Sequence, residues 1–241
     1  MLACLDARPS RSVQSKTSVK STKKLRPTAQ QVSELTTNRL SIYLRCLDHL
    51  QAHGVRTVSS QALASQFHLN AAQIRKDLAW FGEFGVRGVG YSVEELAAHL
   101  RGILGLGAPI PVAVIGAGNL GQALADYPGF PREGFEPVAL FDKAPSKVGQ
   151  ESRGGVPIYH VRRLKSVVRR ENIRIALLAV PADAAQQVAN QAVAAGLRAI
   201  LNFTPGTLVV PAGVKVKNVD LTVSLEGLAY HLAKRPDAKK K

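Results

Sequence analysis

Gly116-Ala117-Gly118-Asn119-Leu120-Gly121 is the stretch whose residue types and spacing most directly imply chemistry. It follows the apolar run Val112-Ala113-Val114-Ile115 and leads into Gln122-Ala123-Leu124-Ala125, which can begin a helix. Glycines at the first, third and sixth positions between a strand and a helix form the pattern of a dinucleotide-binding turn. The first permits the tight turn, the second lets backbone approach a pyrophosphate, and the third lets helix and strand pack closely. The helix start then offers unpaired amides to the phosphates. Asp142 lies 21 residues beyond Gly121 and ends the apolar stretch Val138-Ala139-Leu140-Phe141. A carboxylate there accepts from both ribose hydroxyls and repels a 2′-phosphate, which favours NAD(H) over NADP(H).

A second group of candidates lies upstream. Gln73, Arg75 and Lys76 fall on one face of a predicted helix whose other face carries Ile74, Leu78 and Phe81. Arg87 sits in the glycine-rich run Gly85-Val86-Arg87-Gly88-Val89-Gly90-Tyr91, where a tight hairpin would project its guanidinium from a narrow tip. No nucleophile elbow or metal-ligand cluster occurs. His160, in the second half, has no carboxylate partner in sequence.

These residues need elements to hold them. Leu40, Tyr43, Leu44, Leu47 and Leu50 recur at helical spacing, with Gly54 placed for a C-cap. Ser59 or Ser60 caps a short second helix with Leu63, Ala64 and Phe67 inward, and Asn70 caps the third. Three short helices and a hairpin make a winged helix-turn-helix, its third helix the major-groove reader. Ser92 and Glu95 form a capping box that starts a linking helix, which the stretch from Gly105 to Pro111 ends. Beyond it, strands are predicted at 112–115, 137–141, 158–159, 175–180, 199–202 and 216–219. Helices are predicted to start near Gly118, Arg162 and Ala182, with a further start near Gly149. This alternation predicts a Rossmann-type, doubly wound parallel sheet. Leu221, Leu225, Leu228 and Leu232 give the last segment an apolar helical stripe.

The expected domains are a disordered basic extension (1–33), a winged-helix domain with linker helix (34–108), a Rossmann domain (109–219), a C-terminal helix (220–233) and a basic tail (234–241). The net charge of +15 resembles that of a nucleic-acid binder, yet residues 34–230 carry 20 basic against 15 acidic side chains. Most of the excess is therefore in the tails, where it adds sequence-blind, salt-dependent affinity for DNA. Apolar runs fall short of the roughly 20 residues that span a bilayer. Cys4 and Cys46 lack metal-ligand spacing and read as reduced thiols of a cytoplasmic protein. A dehydrogenase would need a substrate domain, and here those residues form the DNA reader. The expectation is a sensor and not an enzyme. The rivals are an NAD-dependent oxidoreductase with an accessory domain, a regulator gated by coenzyme A or another nucleotide, and an architectural DNA binder.

Over residues 36–233 the chain resembles the Rex family of redox-sensing transcriptional repressors. The resemblance rests on Ile74-Arg75-Lys76-Asp77-Leu78, Phe81-Gly82, Arg87-Gly88-Val89-Gly90-Tyr91 and the glycine turn. It continues through Ala125-Asp126-Tyr127-Pro128-Gly129-Phe130, Phe141-Asp142, Asn202-Phe203 and Val219-Asp220-Leu221. A departure is Ala144, where such proteins often carry a second acid, which leaves Asp142 alone at the ribose. The resemblance implies a homodimer that binds operator DNA and releases it when NADH binds. It implies that the helix from Asp220 onward is swapped onto the partner, near the nicotinamide. Cofactor contacts would come from the residues of the glycine turn with Asp142, Tyr127 and Asp220. DNA contacts would come from Gln73, Arg75, Lys76, Arg87, Gly88 and Tyr91. It also implies a switch of Arg45, Tyr127 and Asp220. A carboxylate near the nicotinamide distinguishes the cationic ring of NAD⁺ from the neutral ring of NADH.

Overall fold

The computed structural model describes residues 32–233. The basic extension and basic tail expected at the two ends, Cys4 among them, lie outside these residues apart from Val32 and Ser33. The chain divides into two units between Leu100 and Arg101.

The first unit begins with α1 (Glu34–Ala52), α2 (Ser60–Phe67) and α3 (Ala71–Phe81). Ser59 and Asn70 accept from the backbone amides of Ala62 and Gln73, which fixes where α2 and α3 start. Leu40, Tyr43, Leu44, Leu47 and Leu50 are buried, as the helical spacing requires, with Leu63, Ile74 and Leu78 of the other two helices. The hairpin pairs β2 (Gly85–Val86) with β3 (Gly90–Ser92), and β1 (Thr57–Val58) joins β3 on its other side. Two residues are too few to show a strand period, so β1 left no trace in the sequence pattern. Ser92 caps α4 (Val93–Leu104) by accepting from the Glu95 amide.

The second unit is a six-stranded parallel sheet of β4 (Ile110–Ile115), β5 (Phe135–Asp142), β6 (Ile158–His160), β7 (Ile175–Leu178), β8 (Ala199–Asn202) and β9 (Lys215–Asn218). The spatial order is β6-β5-β4-β7-β8-β9. The chain reverses direction of winding between β4 and β7, so a crevice opens outside the carboxyl ends of those strands. Joining elements are α5 (Asn119–Ala125), α6 (Gly129–Arg132), α7 (Leu164–Arg170) and α8 (Ala182–Ala194). One face of the sheet packs Ile115, Phe141, Ala176 and Leu178 against Leu164, Val167 and Val168 of α7 and Ala189 and Ala192 of α8. The other packs Val112, Val114, Leu140 and Leu177 against Ala125 and Phe130.

One expectation needs correction. No helix starts near Gly149: residues 145–149 form a turn, and Gly149 has φ +86°, a left-handed conformation that a right-handed helix cannot include. The chain then doubles back through a bridge between Glu151 and Pro157. The start near Arg162 is a 3-10 turn (Val161–Arg163) that runs into α7. The last helix, α9 (Leu221–Ala233), buries none of its residues. Among the described residues no helix is long and apolar enough to cross a membrane.

Candidate nucleotide site and nucleic-acid interface

The glycine turn leaves β4 at Gly116 and enters α5 at Asn119. Gly116 has φ +104°, and a side chain there would collide with the Ala179 carbonyl. A side chain at Gly121 would run into the Gly116 carbonyl, so helix and turn touch with no room between them. Gly118 differs from both. Its φ of −77° is open to any residue, and a Cβ there meets nothing within 4 Å. The protein itself makes no demand for glycine at Gly118. In a dinucleotide-binding turn this is the position at which backbone approaches a pyrophosphate. Ala117 is buried, while Asn119 and Leu120 are exposed at the start of α5.

Asp142 ends β5 beside this turn. Its Oδ2 accepts from the Ala117 amide at 3.0 Å and from Lys147 Nζ at 3.3 Å, and its Oδ1 accepts from the Ala144 amide at 2.9 Å. Burial works to raise its pKa, but the Ala144 and Ala117 amides and Lys147 outweigh it and hold the carboxyl below the ordinary range. The carboxylate is thus ionised and tied to the turn. Lys147 was not singled out from the sequence. Its place five residues after Asp142, within the turn at 145–149, is the one local signal for it.

Across the crevice, Asn202 at the end of β8 is buried and its amide is fully engaged. Nδ2 donates to the Thr204 carbonyl and to Asn218 Oδ1, and Oδ1 accepts from the Thr204 amide. Thr204 Oγ1 donates to the Val180 carbonyl. His160 accepts from the Arg162 amide through Nδ1 and so caps the 3-10 turn. Among the described residues no group of three or more His, Cys, Asp or Glu is placed to hold a metal ion.

Tyr127 follows α5 and is 54 % exposed, its ring edge-on to Phe130 at 5.1 Å. Asp220 Oδ1 accepts from the Thr222 and Val223 amides at 2.8 and 3.4 Å and caps α9. Tyr127 and Asp220 do not hydrogen-bond to each other within the chain. Arg45, the third residue of the expected switch, belongs to α1 in the first unit.

In that unit, Arg75 and Lys76 are exposed on α3. Arg75 donates to Ser60 Oγ of α2 at 2.9 Å. Tyr91 of β3 is half-buried; burial raises its phenol pKa, and the nearby Arg75 charge partly offsets this. The guanidinium is therefore tied to α2, close enough to Tyr91 of the wing for its charge to be felt there. Arg87 and Gly88 are exposed at the hairpin tip, where Gly88 has φ +85°. Gln73 is partly committed elsewhere: its Nε2 donates to Asp77 Oδ1 at 2.8 Å. Asp77 is the residue the sequence reading passed over. Its side chain is 5 % exposed and takes Arg39 in a fork, Nε at 2.6 Å and an Nη at 2.9 Å, with Tyr43 Oη at 3.0 Å. Tyr43 and Arg39 lie 34 and 38 residues away, and only the Gln73 tie falls at a local, one-turn spacing.

Comparison with known proteins gives the same two-part division. Residues 31–79 match the family described as "Putative DNA-binding protein N-terminus", and residues 108–206 match the CoA binding domain family. The chain is 48 % identical over 195 residues to a redox-sensing transcriptional repressor Rex of Syntrophobacter fumaroxidans, covering 81 % of this chain and 93 % of that protein. The protein of the same name from Pelotomaculum thermopropionicum is 47 % identical over 207 residues, covering 86 % and 97 %. Among solved structures, RSP in complex with β-NAD⁺ and operator DNA superposes with a TM-score of 0.80 at 41 % identity, over 84 % of this chain and 93 % of that one. RSP with β-NADH gives 0.75 at 39 %, over 85 % and 95 %.

Proposed function

Because this chain belongs to the Rex family of redox-sensing transcriptional repressors, we propose that it binds operator DNA as a homodimer through its winged helix and lets go when NADH enters the crevice. The observation that carries this reading is the glycine turn, where Gly118 leaves its backbone uncovered in an ordinary conformation, beside an ionised Asp142. The glycine turn would hold the pyrophosphate and Asp142 the adenosine ribose. The cofactor supplies the redox-dependent charge on its ring, and this reading needs no turnover; His160 serves as a backbone cap. A DNA-reading protein of this kind acts in the cytoplasm.

Two uncovered apolar surfaces support the dimer. Leu221, Leu225, Leu228 and Leu232 of α9 are all more than half exposed. A depression of about 270 Å³ on the sheet is lined by Val112, Phe135, Ile175, Leu177 and Leu201. Exposed apolar patches of this kind fit a contact with a second copy of the chain. In this reading α9 is exchanged between subunits, and Tyr127, whose hydroxyl has no hydrogen bond within the chain, meets Asp220 and Arg45 as the switch.

The test is operator binding by fluorescence anisotropy at fixed salt, with a palindromic probe selected from random DNA. NADH is expected to displace the DNA at low concentration and NAD⁺ to leave it bound. A hundredfold preference of NADH for the DNA-incompetent state is worth about 2.7 kcal/mol, enough to clear the operator. Equal responses to both nucleotides, or none, sink the proposal. A coenzyme A effector is the second reading, favoured by the family match at 108–206; displacement by coenzyme A without competition from NADH would establish it.

Two smaller effects follow from the same sites. Asp142→Ala is expected to weaken NADH about tenfold by isothermal titration, the low end for loss of a charged hydrogen-bond acceptor. Arg87→Ala is expected to lower the slope of log affinity against log salt by about one, the signature of one lost phosphate or groove contact.

A further inference from the structure

The carboxyl edge of the sheet is stitched from the glycine turn to the root of α9. Gly116 packs against Ala179 and Val180, which follow β7. Thr204 Oγ1 holds the Val180 carbonyl at 2.9 Å. Asn202, 1 % exposed, binds Thr204 through both its amide oxygen and its nitrogen. The same nitrogen donates to Asn218 Oδ1 at 3.0 Å, and the Val219 amide donates to the Asn202 carbonyl at 2.8 Å. Asp220 then caps α9. Every polar atom of the Asn202 amide is used, in a place where an unmet hydrogen bond is costly.

We propose that the Asn202–Asn218 hydrogen bond is a positioning link that registers the root of α9 to the cofactor crevice, so that occupancy of the glycine turn reaches α9. This rests on the reading of the chain as an NADH-released repressor. Neither asparagine is in the set assigned to hold cofactor or DNA. The bond spans 16 residues and joins neighbouring strands at their carboxyl ends, the side on which the crevice opens. It needs only an acceptor at position 218, because Asn202 donates. An aspartate preserves it and an alanine deletes it, and Asn218 is exposed enough for either to be accommodated.

The experiment measures two quantities on the full chain: NADH affinity by titration calorimetry, and the ratio of operator affinities without and with saturating NADH. Asn218→Ala is expected to keep NADH affinity within about threefold and to stay folded with a lowered melting temperature, from the Asn202 donor left unmet, while the operator ratio falls at least about tenfold. Asn218→Asp is expected to restore the ratio. The link is overturned if Asn218→Ala keeps the wild-type ratio, if it loses NADH binding outright, or if Asn218→Asp fails as the alanine does. Wild type with a ratio of one overturns the parent reading and this inference together, whereas a normal wild-type ratio beside an unaffected Asn218→Ala sinks the link alone.

Discussion

Gly118→Ala is expected to leave the protein as stable as wild type and to weaken NADH about a hundredfold. The backbone at Gly118 is in a conformation that alanine adopts freely, and a methyl group meets no protein atom. In the proposed reading it enters the space the pyrophosphate would occupy against the turn, and forcing an extra carbon into a close contact costs about 1–3 kcal/mol. Gly121→Ala makes the contrast. Its methyl collides with the Gly116 carbonyl, so turn and helix must separate and stability itself falls, by about 2 kcal/mol or more. Urea unfolding and NADH calorimetry on both variants separate the outcomes. A Gly118→Ala protein that binds NADH like wild type would mean that no phosphate approaches this turn.

Asp77→Ala is the second large effect, this time in the DNA-reading unit. The carboxylate neutralises Arg39 and satisfies Tyr43 and Gln73, joining α1 to α3. Its removal leaves a phenol and a guanidinium without their partner. Breaking a buried pair in this way is severe, and because Arg39 is partly exposed the loss is expected at about 2–3 kcal/mol. Asp77→Asn keeps an acceptor and is expected to lose less. Operator affinity should fall with the anchorage of α3, and NADH affinity should not. If Asp77→Ala unfolds at the wild-type urea midpoint, the cluster is decoration. The same residue sets an acid limit. Burial opposes its ionisation, yet hydrogen bonds from Arg39, Gln73 and Tyr43 lower its pKa below the ordinary value. Asp77 therefore ionises more readily folded than unfolded. Its stabilisation is complete above the ordinary carboxylate range and disappears as pH falls through the lowered folded pKa. Thermal unfolding of wild type below pH 4 should consequently steepen with acid, and that of Asp77→Asn should be flatter.

The features readable from sequence are those that short segments decide for themselves. Ser59, Asn70 and Ser92 cap helices because a side-chain oxygen reaches an amide three residues on. The central strands β4, β5, β7 and β8 were legible as apolar runs between turn signals, and alternation with helices implies parallel pairing; β9, Lys215-Val216-Lys217-Asn218, has a single apolar residue. Gly149 misled because a glycine near a polar stretch marks a helix boundary and a left-handed turn equally well. Gln73 was legible as an exposed-face residue, but its tie to Asp77 was not.

By itself, then, the sequence determined the order of elements, the glycine turn and the distance from it to Asp142, all of which follow from local backbone preference and a single strand crossing. Tertiary structure alone decided that Gly118 is free where Gly121 is jammed, that Lys147 and two amides tie Asp142 to the turn, and that Asp77 closes on Arg39 and Tyr43. It also decided that Asn202 reaches Asn218 across neighbouring strands. Apart from Lys147 and the Ala144 amide, which lie within five residues of Asp142, these contacts join residues far apart in the chain, so only folding brings them within a hydrogen bond of each other.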